Sequence, residues 1–269
     1  MSGFEHGLAN ELTPSAAGAP GSRTSSPLTF SLSGGDVHIW QARLDQADPG
    51  RVDYFSLLSE DEKERAARFF FERDRHRYIV GRATLRLLLA GYMDAQPAEI
   101  QFGYSPLGKP FIKTKSHRSE LQFNLAHSHD RAVYSFSTGG RVGIDIEEIH
   151  SMPGMGRFAE FYYSPRECLL FNSLEGHDKL RTFFKIWTCK EAVFKAIGAG
   201  LTKDISQTEV SFNSSQQPEL VCIDGDRRQA HGWHLELFAP FDGYQAALAV
   251  ENLASNLIIR TVDDISGLS

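Results

Sequence analysis

Hydrophobic and polar positions in this chain follow two periods, and the switches between them mark out repeating blocks. From Val37 to Leu44 the pattern predicts a short strand. A helix follows, its start marked by Ser59 three residues before Glu62, the spacing of a capping box. Between about Arg75 and Met93, Ile79, Leu85, Leu88, Leu89 and Tyr92 recur at helical spacing while Arg77, Arg82 and Arg86 punctuate them, which predicts a second helix. The period then shortens: Leu121, Phe123 and Leu125 alternate with Gln122, Asn124 and Ala126, and Val133 to Ser137 alternates again after the polar Ser128–Arg131 turn. That is the pattern of a hairpin. A strand ending in Glu147 comes next, after Gly139 and Gly140.

The order then repeats. Ser164-Pro165-Arg166-Glu167 is a second capping box, now with proline at the first helical position, and it leads into a helix from about Arg181 to Ile197 closed by Gly198-Ala199-Gly200. Four strand patterns follow, near 207–213, 219–224, 233–239 and 244–251. In each block a capping-box helix precedes a longer helix ending near glycine (Gly91, then Gly198) and several strands, with a repeat distance of about 105 residues. The expectation is an α+β fold of two similar α/β subdomains related by a pseudo-twofold, with the active site at their interface, where ligand sites are favoured. The boundaries expected are 1–33 for a flexible Ser/Gly/Pro-rich extension, 34–140 for the first subdomain and 141–269 for the second.

Composition narrows the class. The chain has 269 residues, 41% of them hydrophobic and 23% charged, as expected of a folded soluble protein. Three scattered cysteines, Cys168, Cys189 and Cys222, supply neither a disulfide framework nor a thiolate zinc site, which favours a cytoplasmic location. No apolar run is long enough to span a membrane, and a formal charge of −6 gives no footprint for nucleic acid. Neither is expected as a partner.

The chemistry concentrates in two acidic motifs. In Gly143-Ile144-Asp145-Ile146-Glu147 a strand would send Asp145 and Glu147 to one face, roughly 6 to 7 Å apart at their Cα atoms, and the isoleucines to the other. In Trp187-Thr188-Cys189-Lys190-Glu191-Ala192-Val193-Phe194-Lys195 a helix would stack Glu191 over Lys195. Taken singly, each pattern is usually a solvated face or a surface ion pair. Together they offer three carboxylates and an ammonium to a hard cation and a phosphate-bearing ligand.

These motifs closely resemble the signature of the Sfp-type 4'-phosphopantetheinyl transferases. Upstream segments are similar in the family's order: Glu62-Lys63-Glu64-Arg65 with Arg68-Phe69, Gly108-Lys109-Pro110, and Phe123-Asn124-Leu125-Ala126-His127-Ser128. Coverage runs from about residue 37 to residue 250. The resemblance implies that coenzyme A binds between the halves and gives its phosphopantetheine arm to a serine of an apo acyl, peptidyl or aryl carrier protein, releasing adenosine 3',5'-bisphosphate. It implies Mg²⁺ on Asp145, Glu147 and Glu191, with Glu191 also the proton acceptor and Lys195 neutralising diphosphate charge. Arg65, Lys109, Asn124, His127 and Lys195 map onto coenzyme A contacts.

Bland alternatives stand beside these. Arg65 could be merely solvated, Lys109 could serve only to turn the chain, and His127 with His129 forms a His-x-His lacking the third ligand of a zinc site. A carrier- or nucleotide-binding relative without activity and a magnesium-dependent pyrophosphohydrolase are the competing classes. The smaller holo-acyl-carrier-protein synthase branch builds its sites between subunits, whereas this chain supplies both halves, so a monomer is expected. Ala126, where many relatives carry serine, is expected to remove a hydroxyl contact to the ligand. Met152, Met155, Phe158, Phe161, Tyr162 and Tyr163, in a loop over 151–163, are candidates for carrier recognition.

Overall fold

A computed structural model describes residues 29–45, 53–113, 121–199, 204–253 and 256–261. The expected extension lies outside the described residues as far as residue 28. Its end is anchored, however: the Phe30 N–H donates to Gly91 O at 2.9 Å, and the Phe30 ring lies 4.8 Å from that of Trp40. An isolated aromatic near the end of a Ser/Gly/Pro-rich run carries no periodicity, so nothing local in the sequence marks this anchor.

The first half runs from strand β1 (Val37–Arg43) through helices α1 (Glu60–Ala67) and α2 (Glu72–Met93) to the short strands β2 (Phe102–Tyr104) and β3 (Pro110–Ile112) and the hairpin β4 (Gln122–Ser128) and β5 (Arg131–Ser137). The second half repeats that order with one insertion. It comprises β6 (Val142–Glu148), the inserted helix α3 (Met155–Tyr162), α4 (Pro165–Asn172), α5 (Gly176–Ile197), the pair β7 (Glu209–Phe212) and β8 (Pro218–Cys222), and the pair β9 (Trp233–Phe238) and β10 (Tyr244–Glu251). Sheet order repeats as well, β1-β5-β4 in one half and β6-β10-β9 in the other. The fold is α+β.

A last strand, β11 (Leu257–Thr261), pairs in parallel with β1, setting Val37 beside Leu257. It covers the outer edge of the first sheet, which would otherwise be open to edge pairing. Residues 257–261 therefore belong to the first sheet, and a division at residue 140 does not hold for them.

Strand alternation sorts the apolar residues into separate cores. Val37 and Ile39 pack with Val142, Ile144, Ile146, Leu248 and Val250 in a core shared by both halves. The opposite face of β1, with Trp40 and Ala42, packs with Val80, Leu85, Leu88 and Leu89 of α2. On the second sheet Ala247 and Ala249 meet Cys189, Ala192, Val193 and Ala196 of α5. The approach is closest at Gly143, where an added Cβ would lie 2.0 Å from Ala192 O and 2.4 Å from Ala196 N. Only glycine admits the helix backbone there, and the glycine of the first acidic motif is explained by that contact.

Both capping boxes form, and each box glutamate has a second task. Glu62 accepts from the Ser59 N–H at 3.1 Å, from Arg82 Nε at 2.8 Å and from Arg86 Nε at 2.6 Å. Glu167 accepts from the Ser164 N–H and the Val210 N–H, both at 2.7 Å, and pairs with the fully buried Lys190 ammonium. Each short helix is thus braced to its long partner by a buried ion pair.

Several boundaries differ from the periodicity. Helix α2 starts at Glu72 and α5 at Gly176, each one turn or more before the apolar pattern becomes regular. The end of α2 at Met93 is as expected, with Gly91 buried within the last turn and Asp94 closing the helix in the left-handed region, φ 51°. Gly198 does close α5, at φ 69°. The 151–163 loop contains α3, a helix of only two turns that sequence spacing left unmarked.

Candidate active site

The two acidic motifs meet because α5 lies on the Gly143–Asp145–Glu147 face of β6. Asp145 is 3% exposed, and its Oδ1 accepts from Lys195 Nζ at 2.5 Å. Glu147 accepts from Ser128 Oγ at 3.1 Å and from the Trp187 side chain. Glu191 stands one helical turn before Lys195 on α5. Two oxygens, Asp145 Oδ2 and Glu191 Oε1, are buried without a hydrogen-bond partner among the described residues.

The electrostatics follow from crowding. Burial pushes the Glu191 carboxyl up to about 7, helped by the neighbouring Asp145 and Glu147 charges and opposed by Lys195. Burial also raises Asp145, against the pull of Lys195, and raises Glu147, with Asp145 as the next cause. His127 is held below its ordinary value by desolvation within the groove and then by the charges of Lys195 and Arg77, although its ring still reaches solvent.

These residues fit a divalent cation in kind: the donors are all carboxylate oxygens, two of them orphaned, as a hard cation requires. As the side chains stand, no three His, Cys, Asp or Glu among the described residues converge on one point to hold a metal. The Lys195 ammonium is on Asp145, and Glu147 is engaged by Ser128 and Trp187.

A groove leads away from this cluster. A cavity of about 260 Å³ is lined by Asn124, Leu125, Glu191, Phe194, Lys195 and Gly198 together with Leu107, Gly108, Lys109 and Pro110. It shares Gly108, Pro110 and Leu125 with a second cavity of about 550 Å³ that carries His127, His129, Arg77 and Arg73. That in turn shares Arg65, Phe69, Tyr78 and Tyr104 with a third of about 600 Å³. Beyond the acidic cluster the wall carries Arg65, Arg68, Arg73, Arg77 and Arg82 interspersed with Asp61, Glu64 and Asp74, with Arg65 5.4 Å over the Tyr78 ring.

The predicted site residues therefore separate. Asp145, Glu147, Glu191 and Lys195 come together, His127 faces the same groove, and Arg65 stands at its far end. Two others, Asn124 and Lys109, line the same cavity as Glu191 and Lys195 but bond to backbone. The Asn124 side-chain oxygen accepts from the Ile144 N–H at 2.9 Å, stitching the edge of the first sheet to that of the second. Lys109 Nζ donates to Ala196 O at 2.8 Å and Val142 O at 3.3 Å, so the bonds its ammonium makes are to backbone. Ala126 lies on the strand face opposite His127, 5% exposed and packed in the shared core, so the expected lost ligand contact does not follow from its position.

Sequence reasoning missed Ser128, which accepts from the Glu148 N–H at 3.2 Å and donates to Glu147, and Trp187, which also bonds Glu147. Ser128 was legible, because it lies four residues after Asn124 and so on the same strand face. Among the carrier-recognition candidates, Tyr163 is buried and donates to Phe183 O at 2.6 Å, and Met152, Met155 and Phe158 pack on the core. Phe161 and Tyr162 remain exposed on α3, beside the exposed Leu169 and Leu170 of α4.

Family models match the two halves of the chain in order. Residues 48–138 match the model described as 4'-phosphopantetheinyl transferase, N-terminal, and residues 141–249 match that of the 4'-phosphopantetheinyl transferase superfamily. The 4'-phosphopantetheinyl transferase HetI of Nostoc sp. is 34% identical over 224 residues, covering 83% of this chain and 91% of its own length. The chain belongs to the 4'-phosphopantetheinyl transferase superfamily.

A putative 4'-phosphopantetheinyl transferase of Synechocystis sp. is 35% identical, over 73% of this chain and 77% of its own. The 4'-phosphopantetheinyl transferase of Bacillus subtilis is 27% identical, over 63% and 73% respectively. Among solved structures, the holo-(acyl-carrier-protein) synthase of Bacillus anthracis in complex with CoA (3',5'-ADP) is 24% identical. It covers 41% of this chain and 94% of its own, with a TM-score of 0.35.

Proposed function

We propose that this phosphopantetheinyl transferase moves the 4'-phosphopantetheine arm of coenzyme A to a serine of an apo acyl, peptidyl or aryl carrier protein, with Mg²⁺ as cofactor. The observation that carries the residue assignment is the pair of orphaned carboxylate oxygens, on Asp145 and Glu191, beside a groove that carries Lys195, His127, Arg77 and Arg65.

In this reading the groove takes coenzyme A with its nucleotide phosphates toward Arg65 and its diphosphate toward His127 and Lys195. Asp145, Glu147 and Glu191 would hold the Mg²⁺, which when bound neutralises diphosphate charge. Lys195 turns from its ion pair with Asp145 to the diphosphate as charge develops there. Glu191, raised to about 7 by burial, accepts the proton of the carrier serine. The serine oxygen forms its bond to the β-phosphorus as the bond to the leaving adenosine 3',5'-bisphosphate breaks. His127, whose pKa is lowered by desolvation and its cationic neighbours, contributes a ring N–H to the 5'-phosphate of the leaving adenosine 3',5'-bisphosphate.

Both halves contribute to one groove within one chain, so a monomer is sufficient for activity, and a stable trimer in light scattering would contradict that. Carrier docking is placed on Phe161, Tyr162 and the adjoining leucines of α4. The test is incubation with coenzyme A, Mg²⁺ and apo carriers from fatty-acid, polyketide and peptide synthesis. Intact-mass analysis should show a carrier heavier by one phosphopantetheine arm, and no gain on any of them would overturn the reading.

A further inference from the structure

We infer that Lys109 is a positioning residue, a strut from the first half that sets the spacing between the strand bearing Asp145 and Glu147 and the helix bearing Glu191 and Lys195. The inference rests on the proposed function for its kinetic part only.

The sequence presents Lys109 as a cation at a ligand groove, and the groove does run past its turn. That turn is closed by its own backbone: Ser105 N–H donates to Lys109 O at 2.8 Å, Gly108 N–H to Ser105 O at 2.9 Å, and Lys109 N–H to Ser105 Oγ at 3.0 Å. Gly108 adopts φ +84°, which only glycine takes without strain. A chain held this way sets Leu107, Gly108, Lys109 and Pro110 along the groove, with the lysine part of its lining and its ammonium bonded to backbone acceptors. The stem passes Gly198, the left-handed residue closing α5, where an added Cβ would lie 3.5 Å from Lys109 Cδ.

The ammonium ends where strand and helix are closest. One acceptor, Ala196 O at 2.8 Å, is a last-turn carbonyl of α5 with no further helical turn to bond it. The other, Val142 O at 3.3 Å, begins β6. Between them lies Gly143, under the backbone of Ala192 and Ala196. A cation at a helix C-terminus also meets the negative end of the helix dipole. One side chain therefore ties the base of β6 to the end of α5, three residues before Asp145 and one after Lys195. Displacing either element alters the distance between the carboxylates on which the chemistry depends, and misplacement by about 1 Å is enough to cost ~100-fold in rate.

The test compares Lys109→Met and Lys109→Arg with the wild type by steady-state kinetics, calorimetric binding of coenzyme A without carrier, and amide hydrogen exchange. Lys109→Met should lower kcat by about tenfold or more while coenzyme A affinity changes by less than about threefold, the split expected of lost positioning. Lys109→Arg should recover a large part of kcat. Exchange in Lys109→Met should speed up at 142–145 and 195–198 and not in α2. A tenfold loss of coenzyme A affinity with kcat unchanged would make Lys109 a ligand contact and overturn the inference. So would unchanged exchange in those segments, or faster exchange with normal kcat. If Lys109→Met does not fold, the exchange and kinetics of Lys109→Arg decide alone: recovered kcat with protected segments supports the strut, and lost affinity refutes it. An inactive wild type would refute the proposed function, whereas the exchange result would still decide the strut.

Discussion

Strands β1 and β6 each hold seven residues, and each lays one face toward a helix of 22 residues, α2 or α5. Counted from their first residues, Trp40 and Ala42 of β1 correspond to Asp145 and Glu147 of β6, while Leu87 and Gly91 of α2 correspond to Glu191 and Lys195 of α5. The first face is a closed aromatic and aliphatic core, and the second is a cluster of crowded carboxylates with two oxygens unpartnered. What stays the same is the brace. Glu62 and Glu167 are each the third residue of an eight-residue helix, and Arg86 and Lys190 are each the fifteenth of the long one. Both pairs are buried with partners for both acid oxygens. The scaffold is kept by satisfied charges, and the site is made by unsatisfied ones.

Exchanging the two kinds of charge for neutral isosteres should break that distinction most clearly. Glu191→Gln should lower transfer by about 100-fold or more, the scale of losing a positioned base, with no fall in the urea midpoint because it removes a crowded buried charge. Lys190→Met, one residue away, should do the reverse. It leaves Glu167 buried and unpaired, a cost of about 3–5 kcal/mol in unfolding free energy, with loss of activity tracking loss of folded protein. Normal turnover by Glu191→Gln would remove it as the base.

The two halves should also respond oppositely to pH. Without divalent cations, the raised carboxyl of Glu191 binds its proton more tightly folded than unfolded, so stability should rise as pH falls from about 7 toward the ordinary glutamate value. Glu62 behaves otherwise: burial alone would raise it, but Arg82 and Arg86 outweigh burial and hold it low. Its contribution is present above the ordinary glutamate value and lost as pH falls through the lowered one. Urea midpoints across this range should show both slopes, with Glu191→Gln flattening only the first and Glu62→Gln only the second. The smallest effect concerns docking. Phe161→Ala should raise the carrier KM several-fold, on the scale of about 1 kcal/mol for one exposed aromatic, with the coenzyme A KM unchanged.

Much of this was legible because local rules and tertiary structure agree. The capping boxes, the change of period and the two acidic motifs placed the elements and brought Asp145, Glu147, Glu191 and Lys195 together. What escaped was set by long-range packing. Lys109 has the composition of a ligand contact and the geometry of a strut, and nothing in Gly-Lys-Pro indicates that carbonyls 33 and 87 residues away are its acceptors. Ala126 occupies a family position for a ligand contact, but its alternation with His127 puts it on the buried face of its strand. Strand β11 pairs with β1 from the far end of the chain, and no local pattern announces a partner at that distance.

The central claim is that the open carboxylates of the second half exist to take a cation together with a diphosphate. Calorimetric titration of coenzyme A into the wild type and Asp145→Ala, with and without Mg²⁺, tests it most directly. Mg²⁺ should strengthen wild-type binding by about tenfold or more, and Asp145→Ala should lose that gain while still binding weakly without metal. An equal strengthening in both proteins would contradict the assignment.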